Sequence, residues 1–135
     1  MSDKVFLDSN ILVYCYSTSD INKQNIARLL AAGDNSCIST QVLNETANVL
    51  NKKYAVSWNN LEILISDFEN NFTIHTITPE NIKQACRIAD RYQFSFYDSR
   101  IISSAMECNC SILYSEDLNH GQLIDNAIRI INPFL

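Results

Sequence analysis

Four acidic side chains stand where an α/β protein could use them for chemistry. Asp8 directly follows the short apolar run Val5-Phe6-Leu7, and Asp117 lies three residues after the end of another such run. Glu45 falls in the first turns of a predicted helix, and Asp98 lies near the predicted start of a later one. In open α/β sheets, ligands bind beyond the carboxyl ends of the strands, where loops meet helix starts. The spacing therefore predicts that all four carboxylates converge at one edge of a sheet.

Carboxylates brought together in this way repel one another unless they are protonated or bridged by cations. A set of ligands that offers only oxygen atoms suits magnesium or manganese. Such an ion lowers the pKa of a bound water and stabilises charge that develops on a phosphoryl oxygen. The four acids therefore predict a divalent-metal site that could hydrolyse a phosphate ester.

Each acid taken alone also has a purely structural explanation. Asp8 could cap a helix, and Asp98 completes a capping-box-like spacing with Ser95. Asp117 sits in a polar turn, and Glu45 could be a solvated helix residue. Acids near helix N-termini are stabilising without any further function. The prediction of a metal site therefore depends on the combination of the four acids.

Short apolar runs alternate along the chain with longer segments whose apolar residues recur at helical spacing. The runs predict strands near residues 5–7, 36–38, 72–77, 112–114 and 127–131. Helices are expected to begin after Ser39 or Thr40, at the pair Thr78-Pro79 and near Ser95. This strand–helix alternation favours a mainly parallel sheet covered by helices on both faces.

Length and composition predict one globular domain spanning residues 1–135. The chain is 47% hydrophobic and has only two glycines and two prolines, which leaves little room for linkers. It shows no secretory signal and no apolar run of the roughly 18 residues that a spanning helix needs. We therefore expect a cytoplasmic protein without membrane attachment. The five cysteines are odd in number and scattered through apparent core segments, which predicts reduced thiols.

The formal net charge of −5 argues against a protein that holds nucleic acid mainly through a broad basic face. It does not exclude an enzyme that meets a phosphodiester through metal ions. In such an enzyme the acidic excess would be concentrated where the metal binds, because clustered carboxylates bind hard cations.

The segments around the four acids, taken in order, resemble the acidic motifs of PIN-domain ribonucleases. These segments are Val5-Phe6-Leu7-Asp8-Ser9-Asn10, Gln41-Val42-Leu43-Asn44-Glu45-Thr46, Phe96-Tyr97-Asp98-Ser99 and Leu113-Tyr114-Ser115-Glu116-Asp117-Leu118. The stretch from Ser115 to Gln122 and the ending Asn132-Pro133-Phe134 resemble in particular the VapC-type toxins of bacterial toxin–antitoxin pairs. The resemblance extends over nearly the whole chain.

The resemblance implies a three-layer α/β/α fold with a central, mainly parallel sheet of about five strands. It implies an endoribonuclease that depends on magnesium or manganese, an RNA substrate, a cognate antitoxin and a homodimer. The family's metal-binding and catalytic acids are matched here by Asp8, Glu45, Asp98 and Asp117. Its supporting polar positions are matched by Asn10 and Ser115.

Further charged residues invite a functional interpretation as well as a structural one. Lys83, Arg87 and Arg91 recur every four residues and could steer RNA phosphates toward the acids, although a solvated helix face explains them equally well. Glu116 is an additional acid whose orientation, toward metal or solvent, the spacing leaves open. The pair Lys52-Lys53 is interpreted as compensating a helix dipole.

Two other functions remain as alternatives. A phosphatase of the haloacid-dehalogenase type also places a carboxylate after its first strand, but its chemistry usually needs a second Asp at the position that Asn10 occupies here. A noncatalytic binding module could keep the same fold and bind a partner while leaving RNA uncut.

Overall fold

The computed structural model describes residues 4–135, and the first three residues of the predicted domain lie outside this range. The described chain contains six strands and six helices: two helices follow each of the first three strands, and the last three strands follow one another. The strands are β1 (Val5–Leu7), β2 (Ser36–Ser39), β3 (Thr73–His75), β4 (Ile112–Tyr114), β5 (Leu123–Ile124) and β6 (Ile128–Ile131). The helices are α1 (Ser9–Tyr14), α2 (Ile21–Ala31), α3 (Thr40–Tyr54), α4 (Trp58–Asn71), α5 (Pro79–Tyr92) and α6 (Phe96–Glu107).

The strands form one sheet in the order β3-β2-β1-β4-β6-β5. All neighbours are parallel except β5, which pairs antiparallel with β6. This arrangement confirms the predicted three-layer α/β/α fold with a mainly parallel sheet. The sheet has one strand more than the five or so expected, because the two-residue β5 follows a turn at Gly121 and closes a hairpin onto β6. A strand this short leaves almost no periodic signal in a sequence.

Strand β1 lies at the centre of the sheet and brings two functional segments together. Its Val5 is in register with Ser36 of β2 on one side and with Ile112 of β4 on the other. Leu7 lies opposite Tyr114, so the segments that follow β1 and β4 leave the sheet side by side. Parallel strands all end at the same edge, and the residues after each strand therefore meet there.

Side-chain caps start the helices that carry the candidate site. The Ser39 hydroxyl accepts a hydrogen bond from the backbone N–H of Val42 at 3.3 Å, so Ser39 rather than Thr40 caps α3. The Ser95 hydroxyl accepts from the backbone N–H of Asp98 at 3.1 Å and caps α6. Thr78 caps α5 ahead of a first-turn proline, as the sequence predicts. Each cap satisfies a backbone donor that has no partner within its own helix.

The core lies on both faces of the sheet. Phe6, Leu7, Ile38, Leu113 and Ile130 are fully buried, as expected for strands covered by helices on two sides. All five cysteines are free thiols. Within residues 4–135, no helix is both long enough and apolar enough to cross a membrane.

A buried polar network joins α5 to α6, the helix that carries Asp98. The fully buried Asn81 donates from Nδ2 to Ser103 Oγ at 2.8 Å and to Glu107 Oε2 at 2.9 Å. Ser103 Oγ in turn lies 2.9 Å from the backbone carbonyl of Asn81 and 2.8 Å from Gln84 Oε1. These contacts fix α6 against the rest of the domain, because a buried polar network that is satisfied allows little relative movement.

We expect Asn81→Ala to lower the free energy of unfolding by about 1–3 kcal/mol, because it leaves buried partners unsatisfied. Chemical denaturation at neutral pH in chelator measures the change. Asn60→Ala, at an exposed position near the start of α4, is the matched control and should shift stability by less than about 0.5 kcal/mol. Equal effects of the two substitutions would show that the network does not stabilise the fold.

Candidate active site

Asp8 is the most deeply buried of the four predicted acids and forms the first element of the site. It is 3% exposed, ends β1 and caps α1 by accepting the backbone N–H of Ser9 at 2.7 Å through Oδ1. Its Oδ2 accepts the Ser115 hydroxyl at 2.8 Å. Burial raises the pKa of Asp8 to about 6 against these two hydrogen bonds, with smaller upward contributions from Glu45 and Asp117.

The predicted supporting residues Asn10 and Ser115 hold the loop after β4 against the start of α1. Asn10 Nδ2 donates to Asp117 Oδ2 at 3.2 Å, and Asn10 Oδ1 accepts the backbone N–H of Glu116 at 3.4 Å. Ser115, fully buried, also accepts the backbone N–H of Asp117 at 3.2 Å. The two residues thus connect Asp8 and Asp117, which are more than a hundred positions apart in the sequence.

Glu45 and Asp98 complete the acidic group from two different helices. Glu45 projects from the second turn of α3, and Asp98 lies in the first turn of α6. Burial raises the pKa of Asp98, and the nearby carboxylates of Asp117 and Glu45 raise it further, against the hydrogen bond from Ser95. The same two carboxylates also raise the pKa of Asp8. The four acids therefore lie within one electrostatic field.

The four carboxylates share this field without forming a ready ligand cage. Within residues 4–135, no three histidine, cysteine or acidic side chains lie close enough together to hold a metal ion as they stand. Carboxylates that lack a bridging cation repel one another, so wider spacing is what the chain alone is expected to adopt. The donor set fits magnesium or manganese chemically, because every donor is a carboxylate oxygen.

Tyr97 borders the acids at the start of α6. Its hydroxyl is buried and makes no hydrogen bond of normal geometry within the described chain. Burial, and then interaction with the Glu45 carboxylate, raise the pKa of Tyr97 above its usual range. A neutral phenol therefore stands beside Glu45 at physiological pH.

Glu116 is directed away from the other acids. Its carboxylate forms an ion pair with Lys23 of α2 and accepts the Tyr14 hydroxyl at 2.6 Å. These two partners hold the pKa of Glu116 below its ordinary value even though burial opposes the shift. Lys23 also lies over the rings of Tyr14 and Phe134. The contacts of Glu116 thus fasten α2 and the C-terminal segment to the loop that carries Asp117.

The predicted basic stripe on α5 makes its ion pairs outside the acidic group. Lys83 pairs with Glu80 at 3.3 Å, and Arg91 pairs with Asp125 at 3.3 Å. Arg87 is exposed and lines a small depression together with Arg91 and Asp125. An RNA-binding role for the stripe therefore remains a prediction from the sequence.

Two depressions flank Glu45, and each contains a cation that sequence reasoning did not assign to the site. The first, here called the Lys53 pocket, has a volume of about 200 Å³ and is lined by Lys53, Asn10 and Asp117 among others. The second, here called the Gln41 pocket, measures about 540 Å³ and includes Gln41 and Arg100. Glu45 lines both.

Lys53 could have been recognised from the sequence, because Glu45, Val49 and Lys53 recur every four residues along α3 and therefore share a face. All three line the Lys53 pocket. Gln41 carries the same signal, because it lies four residues before Glu45 on α3. Arg100 carried no such signal, because its approach to the site depends on where α6 lies relative to α3. With a cation in each pocket that Glu45 lines, the site can attract the phosphates of a negatively charged chain.

The raised pKa of Asp8 predicts a specific dependence of stability on pH in chelator. A folded-state pKa of about 6 against an ordinary value of 3.8 means that protonation favours the fold. The stabilising effect is complete below about pH 4 and is lost as pH rises through about 6. The substitution Asp8→Asn retains a side chain that can cap α1 and removes the carboxylate charge. Its stability relative to wild type should rise by on the order of 1–3 kcal/mol between about pH 4 and 7. Denaturation at several pH values measures this difference, and a difference independent of pH would contradict the assignment.

Solved structures of low sequence identity share this fold. VapC20 of Mycobacterium tuberculosis, a toxin that cleaves the sarcin–ricin loop, matches with a TM-score of 0.67 at 17% identity over 82% of this chain and 87% of its own. A toxin–antitoxin complex from Klebsiella pneumoniae matches with a TM-score of 0.70 at 18% identity over 96% of this chain and 98% of the other. VapBC2 of Rickettsia felis, bound to DNA from its promoter, matches with a TM-score of 0.64 at 19% identity over 95% of this chain and 98% of the other.

At these identities the likeness establishes the fold alone. No curated protein sequence matches the chain. A family model of the PIN domain matches residues 5–124, a range that includes all four acids and both supporting polar residues. Because this match covers most of the sequence and agrees with the observed fold, the chain belongs to the PIN-domain family.

Proposed function

We propose that this PIN domain is a metal-dependent endoribonuclease that hydrolyses RNA phosphodiester bonds. We propose further that it acts in the cytoplasm as the toxin of a bacterial toxin–antitoxin pair. The observation that carries the nuclease proposal is the shared electrostatic field of four carboxylates at the carboxyl edge of the sheet. Such a field is unfavourable in a free protein and becomes favourable when a divalent cation binds.

The residues proposed to hold magnesium or manganese are Asp8, Glu45, Asp98 and Asp117. When bound, such an ion lowers the pKa of a water and stabilises charge on a phosphoryl oxygen. Asp8 is held in one orientation because each of its oxygens already accepts one hydrogen bond, from Ser9 and from Ser115. A carboxylate offers about four acceptor positions, so capacity remains for a cation.

The other residues of the site position the acids and the substrate. Asn10 holds Asp117 in place through its amide. Lys53 and Arg100 each line a depression that Glu45 also lines, where they can contact the RNA strand. In a chain with a net charge of −5, these local cations and the bound metal would supply the attraction that a broad basic face supplies in other proteins.

A noncatalytic binding module is the second candidate. It is favoured by the finding that no three potential ligands within residues 4–135 are yet close enough to hold a metal. Such a module would bind its partner and leave RNA intact under every metal condition. The haloacid-dehalogenase alternative loses support, because its chemistry needs a second aspartate at position 10. The residue there is Asn10, whose amide donates a hydrogen bond to Asp117.

The toxin assignment rests on the sequence resemblance and on the identity of the structural neighbours. Two of those neighbours are complexes of a toxin with its antitoxin. An antitoxin could block the acidic site by placing an Arg against the carboxylates, since this pairing gives strong charge-assisted hydrogen bonds. On the resemblance alone we also propose a homodimer, which light scattering of the purified protein would test.

The nuclease proposal predicts that the purified protein cuts single-stranded or loop RNA in magnesium or manganese and stops in chelator. Asp98→Asn should reduce cleavage to the level seen in chelator. In chelator at neutral pH, this variant should melt at the same temperature as wild type or higher, because one member of the repelling group is neutralised. Saturating magnesium should stabilise wild type by on the order of 1–3 kcal/mol and the variant by less.

The matched control is Asp67→Asn, an exposed aspartate of α4, which should leave cleavage and the response to magnesium unchanged. Cleavage of equal rate in chelator, or no cleavage across varied RNAs and metals, would refute the nuclease proposal. A clear loss of stability of Asp98→Asn in chelator, with an unchanged response to magnesium, would instead mark Asp98 as a capping residue only.

The toxin proposal predicts that expression of the chain alone arrests bacterial growth and that expression of Asp98→Asn does not. Co-expression of the small protein encoded by the neighbouring gene should restore growth. Colony counts after induction measure both effects. If the wild-type protein cuts RNA in vitro but is harmless when overexpressed, the toxin assignment is wrong while the nuclease assignment stands.

A further inference from the structure

The Gln41 pocket contains an unusual concentration of buried polar atoms without partners. Gln41 is 7% exposed, and neither its Nε2 nor its Oε1 has a hydrogen-bond partner. Arg100 Nε is buried and has no partner, and the buried Tyr97 hydroxyl interacts with Glu45 but makes no hydrogen bond of normal geometry. Within the described chain six residues have such atoms, and these three all line this one pocket. Buried polar groups are nearly always paired, so these atoms need partners that the described chain does not supply.

The position of the pocket connects it to the proposed chemistry. Glu45 forms part of its wall and also part of the wall of the Lys53 pocket. A strand whose scissile phosphate lies at the acids would therefore place one neighbouring nucleotide in the Gln41 pocket. This step rests on the proposed function, because it takes RNA as the substrate.

The lining of the pocket matches a nucleobase better than a phosphate. Val49 and Ile77 provide apolar surface, against which the flat face of a base can pack. The Gln41 amide offers one donor and one acceptor side by side, which complements an edge carrying an acceptor next to a donor. Adenine has such a pair at N7 and N6, and glutamine contacts it with two hydrogen bonds. A phosphate would leave the apolar surface unused.

We propose that the Gln41 pocket binds an unpaired adenine next to the scissile phosphate and that Gln41 determines this preference. Sequence-specific recognition of RNA generally uses unstacked bases that are read along their hydrogen-bonding edges. Arg100, whose guanidinium lies 5.1 Å from the centroid of the Phe96 ring, supplies a planar cation at the same wall. Gln41 is thus a specificity-determining residue, and the four acids remain the proposed catalytic group.

A variant that keeps the shape of Gln41 separates this role from a structural one. Gln41→Met removes two unpaired polar atoms and retains most of the volume, so it should melt at the same temperature as wild type or higher. Gln24→Met is the matched control. Gln24 is similarly buried at 6% exposure, but its Nε2 donates to the carbonyl of Cys15 at 3.4 Å.

The test measures kcat/KM in magnesium on single-stranded oligoribonucleotides that differ only in the base beside the cleavage site. Wild type and Gln24→Met should prefer adenine by about tenfold or more, as one bidentate contact provides. Gln41→Met should cut all four substrates at similar rates, with the loss confined to the adenine substrate. A preference for another base, no preference, or an adenine preference that survives Gln41→Met would each overturn the proposal.

A binding measurement without catalysis keeps this inference separate from the proposed function. In chelator, fluorescence anisotropy of labelled oligoadenylate should give a Kd about tenfold lower for wild type than for Gln41→Met, with no such difference for oligouridylate. If RNA is bound in this way but never cut, the nuclease proposal fails and the base pocket stands. If RNA is cut without a Gln41-dependent difference in either measurement, the pocket proposal fails and the nuclease stands.

Discussion

A carboxylate buried at the carboxyl edge of a parallel sheet is the constraint on which the rest of the site depends. Asp8 is 3% exposed, and burial raises its pKa to about 6 even though Ser9 and Ser115 donate hydrogen bonds to it. Glu45 and Asp117 add to this unfavourable field. A fold that retains such a group loses stability near neutral pH when no cation is present. A divalent cation that binds there would relieve the repulsion among these carboxylates.

The surrounding polar residues hold the acids in place against this repulsion. Ser115 contacts both Asp8 and the backbone of Asp117, and Asn10 contacts the Asp117 side chain. The ion pair of Glu116 with Lys23 then anchors the same loop to α2. These contacts join segments from the two ends of the chain. Asp8 and Asp117 are therefore fixed at the sheet edge, although no three potential ligands within residues 4–135 lie close enough together to hold a metal ion.

Charge and shape would contribute separately to recognition of the proposed RNA substrate. The chain is acidic overall, so long-range attraction for RNA would be weak and binding would depend on local groups. Lys53 and Arg100 each line a pocket that Glu45 also lines. The unpaired amide of Gln41 adds a group that can distinguish one base from another. Under the proposed function, these groups would select a substrate close to the acids, by contacts that a phosphate backbone alone would not satisfy.

The sequence by itself determined the features that depend on neighbouring residues: the strand–helix alternation, the caps at Thr78 and Ser95, and the strand-end placement of Asp8. Local hydrogen bonds and apolar periodicity fix these without reference to distant segments. Tertiary structure decided the rest. Glu116 turns from the acids because Lys23 of α2 reaches it, and Gln41 shares a pocket with Arg100 because α3 and α6 lie together there. Contacts between residues far apart in the chain depend on packing, which spacing along one sequence does not specify.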